Sequence, residues 1–179
     1  SYLHGVMARE AMLLGKAVLC EKPLTIFNDF EGLAKVNTVL QLRYNEKVRG
    51  LNLKRGSRVS ITVKIYRNEN YWKSWKGDES KSGGILLNMG IHYIDLLMFL
   101  LGNPKEIIFS ECGDRLAKGK IEFHGGTGLY HIELLEKDLP AVRTIEINGE
   151  TEGLEGATIQ LQGEYANLHR EVYKEFKKG

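Results

Sequence analysis

Glu21-Lys22-Pro23 is the first candidate for a group that binds or activates a ligand. It follows an apolar run over residues 17–20 that is typical of a parallel-sheet strand, and ligands bind at the carboxyl ends of such strands. Because proline makes a cis peptide bond accessible at about 0.5–1 kcal/mol, a kink here could turn the Lys22 ammonium into a crevice. There it would donate hydrogen bonds to a substrate hydroxyl or a ribose. The alternative is a turn that ends the strand, with Lys22 in solvent.

A second group lies in an apolar stretch that predicts a core helix over residues 85–101. Asn88 and His92 are four residues apart and share a helix face, with Asp95 three residues further on. Since imidazole titrates near neutrality, His92 could take the proton of an alcohol while hydride leaves its carbon. Asn88 or Asp95 would then orient the ring. The competing interpretation is a structural histidine bonded to a backbone carbonyl or to Asp95.

The third group is the polar segment 72–84, which leads into that helix. Its backbone amides, hydroxyls, glycines and lysines favour an anion, and Trp72 and Trp75 could stack on a base or a sugar. About two helical turns, or roughly 11–13 Å, separate it from His92, a span that suits a phosphorylated substrate. A solvated loop with buried Trp anchors is the alternative.

The sequence shows neither the residue spacing of a metal site nor a glycine-rich run in the context of a phosphate-binding loop. The two cysteines lie far apart without CxxC spacing, and no HxxxH or HExxH occurs, so no catalytic metal is expected. Gly125-Gly126-Thr127-Gly128 lies between predicted strands, which favours a hairpin over a phosphate loop.

Composition excludes several classes of protein. Apolar residues make up 42% and charged residues 27% of the 179 residues, so disorder, collagen-like repeats and a membrane-embedded body are not expected. A net charge of +2 indicates neither a nucleic-acid nor a membrane partner. With two cysteines and no signal-peptide pattern we expect a cytoplasmic protein, and because residue 1 is not Met we expect a fragment of a longer one.

The elements that would position these groups fall into two parts. A helix over residues 5–14, a buried strand over 17–20, a helix over 28–35 and a strand over 38–43 predict a βαβ unit. Near Tyr44, two-face burial gives way to one-face burial. We therefore predict two domains, residues 1–44 and 45–179.

In the second part of the chain, the sequence pattern predicts helices together with strands that are buried on one face only. Alternating residues 59–66 indicate a half-buried strand, followed by the core helix. Helices are also expected over 45–54 and 164–178, a two-residue turn at Asn148-Gly149, and further strands over 106–112, 118–123, 128–135, 143–147 and 158–162. The fold class is thus α/β: a partial parallel sheet, followed by an α/β domain with a largely antiparallel open sheet.

These pieces together resemble the glucose–fructose oxidoreductase / inositol dehydrogenase family. The matching stretches are residues 2–4, residues 11–24 (AMLLGKAVLCEKPL) and residues 83–95 (GGILLNMGIHYID). The resemblance implies that residues 1–44 are the C-terminal part of a Rossmann dinucleotide-binding domain. It also implies NAD or NADP as cofactor, and a second domain that binds substrate and forms homo-oligomers through its open sheet.

Residues 37–44 and 74–84 resemble the nucleotide-sugar branch of that family. This branch oxidises C3 of UDP-N-acetylglucosamine or, more typically, its uronic acid with NAD, for bacterial surface polysaccharide such as lipopolysaccharide. The resemblance implies Lys22 and His92 as catalytic residues. It implies a cofactor contact for His4, Glu21, Lys22 and Pro23, and substrate contacts for Arg43, Trp75, Lys76, Ser80, Lys81, Asn88 and His92. Asn88 stands where many relatives carry an aspartate.

One departure from the family keeps alternatives open. The chain has no GxGxxG motif and no acidic residue about 20 positions after one, although that motif holds the dinucleotide pyrophosphate. We therefore expect a truncated enzyme. The alternatives are a dehydrogenase of a free sugar or inositol, and a non-catalytic module that binds substrate or forms oligomers.

Overall fold

The computed structural model describes residues 2–27, 29, 31–33, 35–148, 157–161 and 165–178. Its N-terminal part contains helix α1 (His4–Leu13) and a parallel pair of short strands, β1 (Leu19–Cys20) and β2 (Asn37–Thr38). Helix α1 is the predicted first helix, and the chain leaves it through Gly15, whose φ of 70° favours glycine. The predicted parallel pairing is confirmed, although β1 is half-buried rather than covered on both faces.

Two predictions for the N-terminal part are wrong. Residues 29, 31–33 and 35 form turns or irregular backbone where a helix over 28–35 was expected, and Asn28 lies outside the described residues. The strand expected over 38–43 ends at Thr38, and Gln41–Tyr44 forms a 3₁₀ helix instead. This helix buries Leu42 in the core and directs Arg43 towards Asp95, so long-range packing overrides the local extended preference.

A six-stranded sheet dominates the second part, in the order β4-β5-β6-β3-β7-β8. All of its neighbours are antiparallel except β3 and β6 at the centre, which run parallel. The α/β class with a largely antiparallel sheet is therefore confirmed, and the strand order differs from that of a simple meander. The strands are β3 (Ser57–Tyr66), β4 (Pro104–Cys112), β5 (Leu116–Phe123), β6 (Gly126–Leu135), β7 (Val142–Asn148) and β8 (Ala157–Gln160).

The remaining helices of the second part lie outside the sheet. Helix α2 (Glu46–Arg49) is shorter than the predicted 45–54, since the Asn45 side chain caps its start and it ends at Gly50. Helices α3 (Glu69–Lys73) and α4 (Glu79–Ser82) form the segment before the core helix, and α6 (Tyr165–Phe176) is the predicted last helix. Gly149 of the predicted turn, and residues 162 and 164 at the expected element ends, lie outside the described residues.

The predicted core helix is present, with a π-helical first turn (Leu86–Gly90) followed by α5 (Ile91–Leu101). By length and composition, residues Glu79–Leu101 could cross a membrane, yet half of the apolar window is buried within the fold. A Cβ on Gly90 would lie 2.9 Å from Ile132 Cδ1, so glycine permits close packing of the helix on β6. Leu96 and Leu97 are fully buried.

Truncating the core helix should destabilise the fold strongly. Leu97 has no exposed surface, so Leu97→Ala removes buried methyl groups and leaves a cavity under the sheet. We expect the free energy of unfolding, measured by urea denaturation, to fall by about 2–5 kcal/mol. Met98 on the same helix is 36% exposed, and Met98→Ala should cost much less. Equal losses for the two variants would contradict this packing.

Candidate active site

A cavity of about 510 Å³ lies between the N-terminal part and the sheet. Its volume is in the range of small-molecule sites. The N-terminal part contributes His4, Glu21, Lys22 and the 3₁₀ helix, and the segment before the core helix contributes Tyr71, Trp75 and Lys76. The core helix contributes Asn88, Met89, His92 and Tyr93, the sheet contributes Ile65 and Arg143, and Arg67 lies directly after β3.

Lys22 reaches from the end of β1 into this cavity. The Lys22–Pro23 peptide bond is cis, and Nζ donates a hydrogen bond to the Asn88 carbonyl. Burial lowers the pKa of Lys22, and the nearby charges of Lys76 and Arg67 lower it further, against the opposite effect of Glu21. Lys22 is thus a partly desolvated donor in contact with the helix that carries His92.

His92 lines the same cavity, and its side chain is partly buried. Burial, together with the charges of Lys22 and His169, lowers the pKa of His92 from 6.5 to about 3. The imidazole is therefore neutral near pH 7, as a proton acceptor must be. Its Nδ1 is buried, and no hydrogen-bond partner for it occurs among the described residues.

The predicted orienting partners of His92 are engaged elsewhere. The Asn88 side-chain amide donates to the Tyr71 hydroxyl at 2.8 Å, and both oxygens of Asp95 accept from Arg43. The expectation that Asn88 or Asp95 fixes the ring is therefore wrong, and so is a structural histidine whose Nδ1 is tied to a carbonyl.

The other predicted cofactor residues gather around the Lys22 end of the cavity. His4 and Glu21 line it, and His4 Nδ1 donates to the Pro23 carbonyl at 2.8 Å. The Glu21 carboxylate lies 3.6 Å from His169 Nε2. The structure thus brings these residues together, and their contact with a cofactor stays a prediction.

Trp75 and Lys76 line the cavity as predicted substrate residues would, whereas three others lie outside its lining. Lys76 Nζ stands 5.8 Å from the Trp75 ring centroid. Arg43 Nε donates to Asp95 at 2.7 Å, and Ser80 and Lys81 contact Asp78 at 2.6 and 2.7 Å. The substrate roles of Arg43, Ser80 and Lys81 stay predictions, and this geometry does not favour them.

Sequence reasoning missed Arg67, Arg143, Tyr71 and Gln41, which also line the cavity. The alternation of β3 could have indicated Arg67, because it continues the face of buried Ile65. Arg143 could not be found, since its place depends on the register that sets it opposite Val63. Gln41 is buried, and its Oε1 has no partner among the described residues.

The charge of the cavity is strongly positive. Lys22, Arg67, Lys76 and Arg143 line it together with the single carboxylate of Glu21. Such an excess of cations in a cleft attracts anionic ligands. Among the described residues, no group of three or more His, Cys, Asp or Glu could hold a metal ion.

The Arg43–Asp95 pair outside the cavity should contribute to stability. The Asp95 side chain is 7% exposed and that of Arg43 40%, so Arg43→Met leaves a buried carboxylate without its partner. We expect the free energy of unfolding to fall by about 1–3 kcal/mol in a denaturant titration. Lys73→Met, which breaks an exposed pair with Glu69, is the matched control and should change it by less than about 0.5 kcal/mol. Similar effects in both variants would contradict the assigned role.

Comparison with known proteins agrees with this geometry. Residues 56–109 match a family model described as the C-terminal alpha/beta domain of an oxidoreductase family. The WlbA (WbpB) dehydrogenase of Thermus thermophilus, in complex with NAD and alpha-ketoglutarate, is 28% identical with a TM-score of 0.85. The match covers 100% of this chain and 63% of that one.

Two further structures are similar over nearly the whole chain. The same Thermus enzyme with NAD and UDP-GlcNAcA is 28% identical with a TM-score of 0.83, covering 99% of this chain and 62% of that one. The WlbA dehydrogenase of Bordetella pertussis with NADH and UDP-GlcNAcA has the same fold at 22% identity, with a TM-score of 0.73 and coverages of 99% and 62%. The chain thus spans about three fifths of the length of these dehydrogenases. The resemblance stated from the sequence is therefore confirmed: residues 56–109 match the model of the C-terminal alpha/beta domain of an oxidoreductase family, and the chain has the fold of the WlbA dehydrogenases over the part that it spans.

Proposed function

We propose that the protein containing this chain is an NAD-dependent oxidoreductase that oxidises the C3 hydroxyl of a UDP-N-acetylhexosamine or its uronic acid. The observation that carries the proposal is the convergence of Lys22 and neutral His92 on one cavity. The Thermus WlbA enzyme, bound to NAD and UDP-GlcNAcA, supports it.

The two residues divide the work at the substrate oxygen. Lys22 has three N–H donors, so it can keep its bond to the Asn88 carbonyl and also donate to the C3 oxygen. A positive charge there stabilises the oxygen as it loses its proton. Neutral His92 accepts that proton as general base. An anionic substrate would offset the charge of Lys22 and so raise the pKa of His92.

The residues present fit the nicotinamide end of the cofactor. The buried Gln41 Oε1 lacks a donor among the described residues, and a carboxamide can supply one. Lys22, His4, Glu21 and Gln41 would hold this end. When bound, the nicotinamide supplies the acceptor for the hydride from C3. The chain has no GxGxxG motif for the pyrophosphate, so the proposal concerns the whole protein.

The wider setting belongs to the same proposal. We place the protein in the cytoplasm, in the synthesis of bacterial surface polysaccharide, with residues 1–44 as part of the cofactor domain and 45–179 as the substrate domain. We also propose a homo-oligomer formed through the open sheet. Strand β4 supports this, because it exposes Ile107, Ile108 and Phe109 at the sheet edge.

Reduction of NAD, followed by absorbance, tests the function. The full-length protein should reduce NAD with UDP-N-acetylglucosamine or UDP-N-acetylglucosaminuronate and should be much slower with free sugars or inositol. Faster reduction with free polyols would establish the alternative dehydrogenase. Oxidation of none of these compounds, despite binding of a UDP-sugar, would favour the non-catalytic module suggested by the missing glycine motif.

A further inference from the structure

We propose that Arg67 and Arg143 bind the carboxylate of a sugar acid in the cavity and select an acidic over a neutral substrate. This inference rests on the proposed nucleotide-sugar function and names the residues that would recognise the carboxylate of the sugar. Arg143 lies on β7 and Arg67 directly follows β3, the neighbouring strand, and the sequence indicated neither as a site residue.

The sheet places both arginines on the cavity side. Arg143 on β7 lies opposite Val63 of β3, whose side chain is fully buried on the inner face. Arg67 follows the last residue of β3, two positions after buried Ile65, so the alternation directs it to the same face. Both line the cavity that contains Lys22 and His92.

Aromatic residues of α3 hold Arg67 in place. The Trp72 indole donates to the Arg67 carbonyl at 3.2 Å, and the Arg67 guanidinium carbon lies 5.4 Å from the Tyr71 ring centroid. The Tyr71 hydroxyl in turn accepts from Asn88, one turn before His92. The guanidinium is therefore preorganised relative to the core helix, which reduces the cost of ordering it when a ligand binds.

Neither arginine is neutralised within the described part of the chain. No ion pair to a carboxylate occurs there for Arg67 or Arg143, and the Nε atom of Arg67 is buried without a hydrogen-bond partner. Arg9 and Arg43, by contrast, pair with Asp29 and Asp95. Because arginine stays charged and an unpaired buried donor is costly, this geometry suits an oxyanion that is not supplied by the described residues.

The carboxylate of a sugar acid fits the site between Arg67 and Arg143 better than the diphosphate of the nucleotide does. Arg67 and Arg143 line the same cavity as Lys22, so an anion that they hold shares this cavity with the oxygen that Lys22 would polarise. The carboxylate of a uronic acid is on the same ring as that oxygen. Its two oxygens match the planar fork of a guanidinium. Lys76 lines both this cavity and a neighbouring one of about 410 Å³, so it can contact the diphosphate there.

Calorimetric titration without cofactor tests the assignment in the full-length protein. The ligands are UDP-N-acetylglucosaminuronate and UDP-N-acetylglucosamine, which differ in the carboxylate. For Arg67→Gln and Arg143→Gln we expect the Kd of the acid to rise roughly 10- to 100-fold, and that of the neutral nucleotide by less than about threefold. Arg67→Lys keeps the charge without the fork and should fall between.

Two controls keep the test decisive. Arg55→Gln changes an exposed arginine outside the cavity and should leave both Kd values unchanged. Retained affinity for the neutral nucleotide shows that each variant is folded. Equal losses for both nucleotides would show that the arginines bind the diphosphate, and no loss for the acid would show that they bind neither group; both results overturn the assignment.

The outcomes also separate this inference from the proposed function. If the unmodified protein prefers the acid through Arg67 but never reduces NAD with it, the dehydrogenase proposal fails and the arginine site stands. If NAD is reduced with either nucleotide at rates and affinities that the arginine variants do not change, the function stands and this inference fails.

Discussion

Replacing Lys22 by methionine should lower kcat for the nucleotide sugar by about 10²–10³-fold, because the C3 oxygen loses its charged donor as its proton leaves. Methionine keeps much of the length and the apolar contacts of the lysine stem without its charge. The hydrogen bond to the Asn88 carbonyl is also lost. Steady-state reduction of NAD by the full-length variant measures the effect.

The same substitution has a second readout that does not depend on turnover. The charge of Lys22 is one of the causes that lower the pKa of His92, so its removal should raise that pKa from about 3 towards 6.5. A pH titration of the His92 ring by NMR would show the rise. Lys73→Met, on an exposed residue paired with Glu69, is the control and should change neither quantity. Unchanged kcat with Lys22→Met would refute the catalytic role.

The sequence was sufficient to predict the positions of those residues whose placement depends on nearby parts of the chain. Lys22 follows a short strand and a proline follows it, and His92 lies on a helix whose apolar character is plain from its composition. Both elements form near the expected positions, and the fold then brings their polar residues to one cavity. The local sequence pattern thus predicts the strand and the helix, and the positions of Lys22 at the sheet edge and of His92 on one helix face explain why both point into the cavity.

Residues whose partners are distant in sequence could not be placed in this way. Arg43 was expected to contact substrate, but it pairs with Asp95, 52 positions later, because a buried carboxylate needs a cation. Arg143 faces the cavity owing to the register between β3 and β7, and one residue of slip would turn it to the other face. A 3₁₀ helix replaces most of the strand expected over 38–43 for a similar reason, because the helix buries Leu42 in the core and this packing stabilises the fold.

Replacing His92 by glutamine should lower kcat by about 10²–10⁴-fold, the usual contribution of a general base. Glutamine retains polarity and approximate size but cannot take up a proton near neutral pH. His124→Gln changes an exposed histidine outside the cavity lining and should leave kcat unchanged. Comparable rates for the His92 variant and the unmodified protein would exclude His92 as the base.

Stability against pH tests the buried state of His92 without any substrate. Its folded pKa of about 3 lies below the ordinary value of 6.5, so the unfolded chain binds the proton more readily between these limits. The contribution of His92 to stability is therefore fully present above pH 6.5 and is lost as the pH falls towards 3. We expect the free energy of unfolding to fall by up to about 1.4 kcal/mol per pH unit more in the unmodified protein than in His92→Gln. Denaturant titrations at pH 7, 6 and 5 measure the difference, and parallel curves would mean that the pKa of His92 is the same in the folded and the unfolded protein.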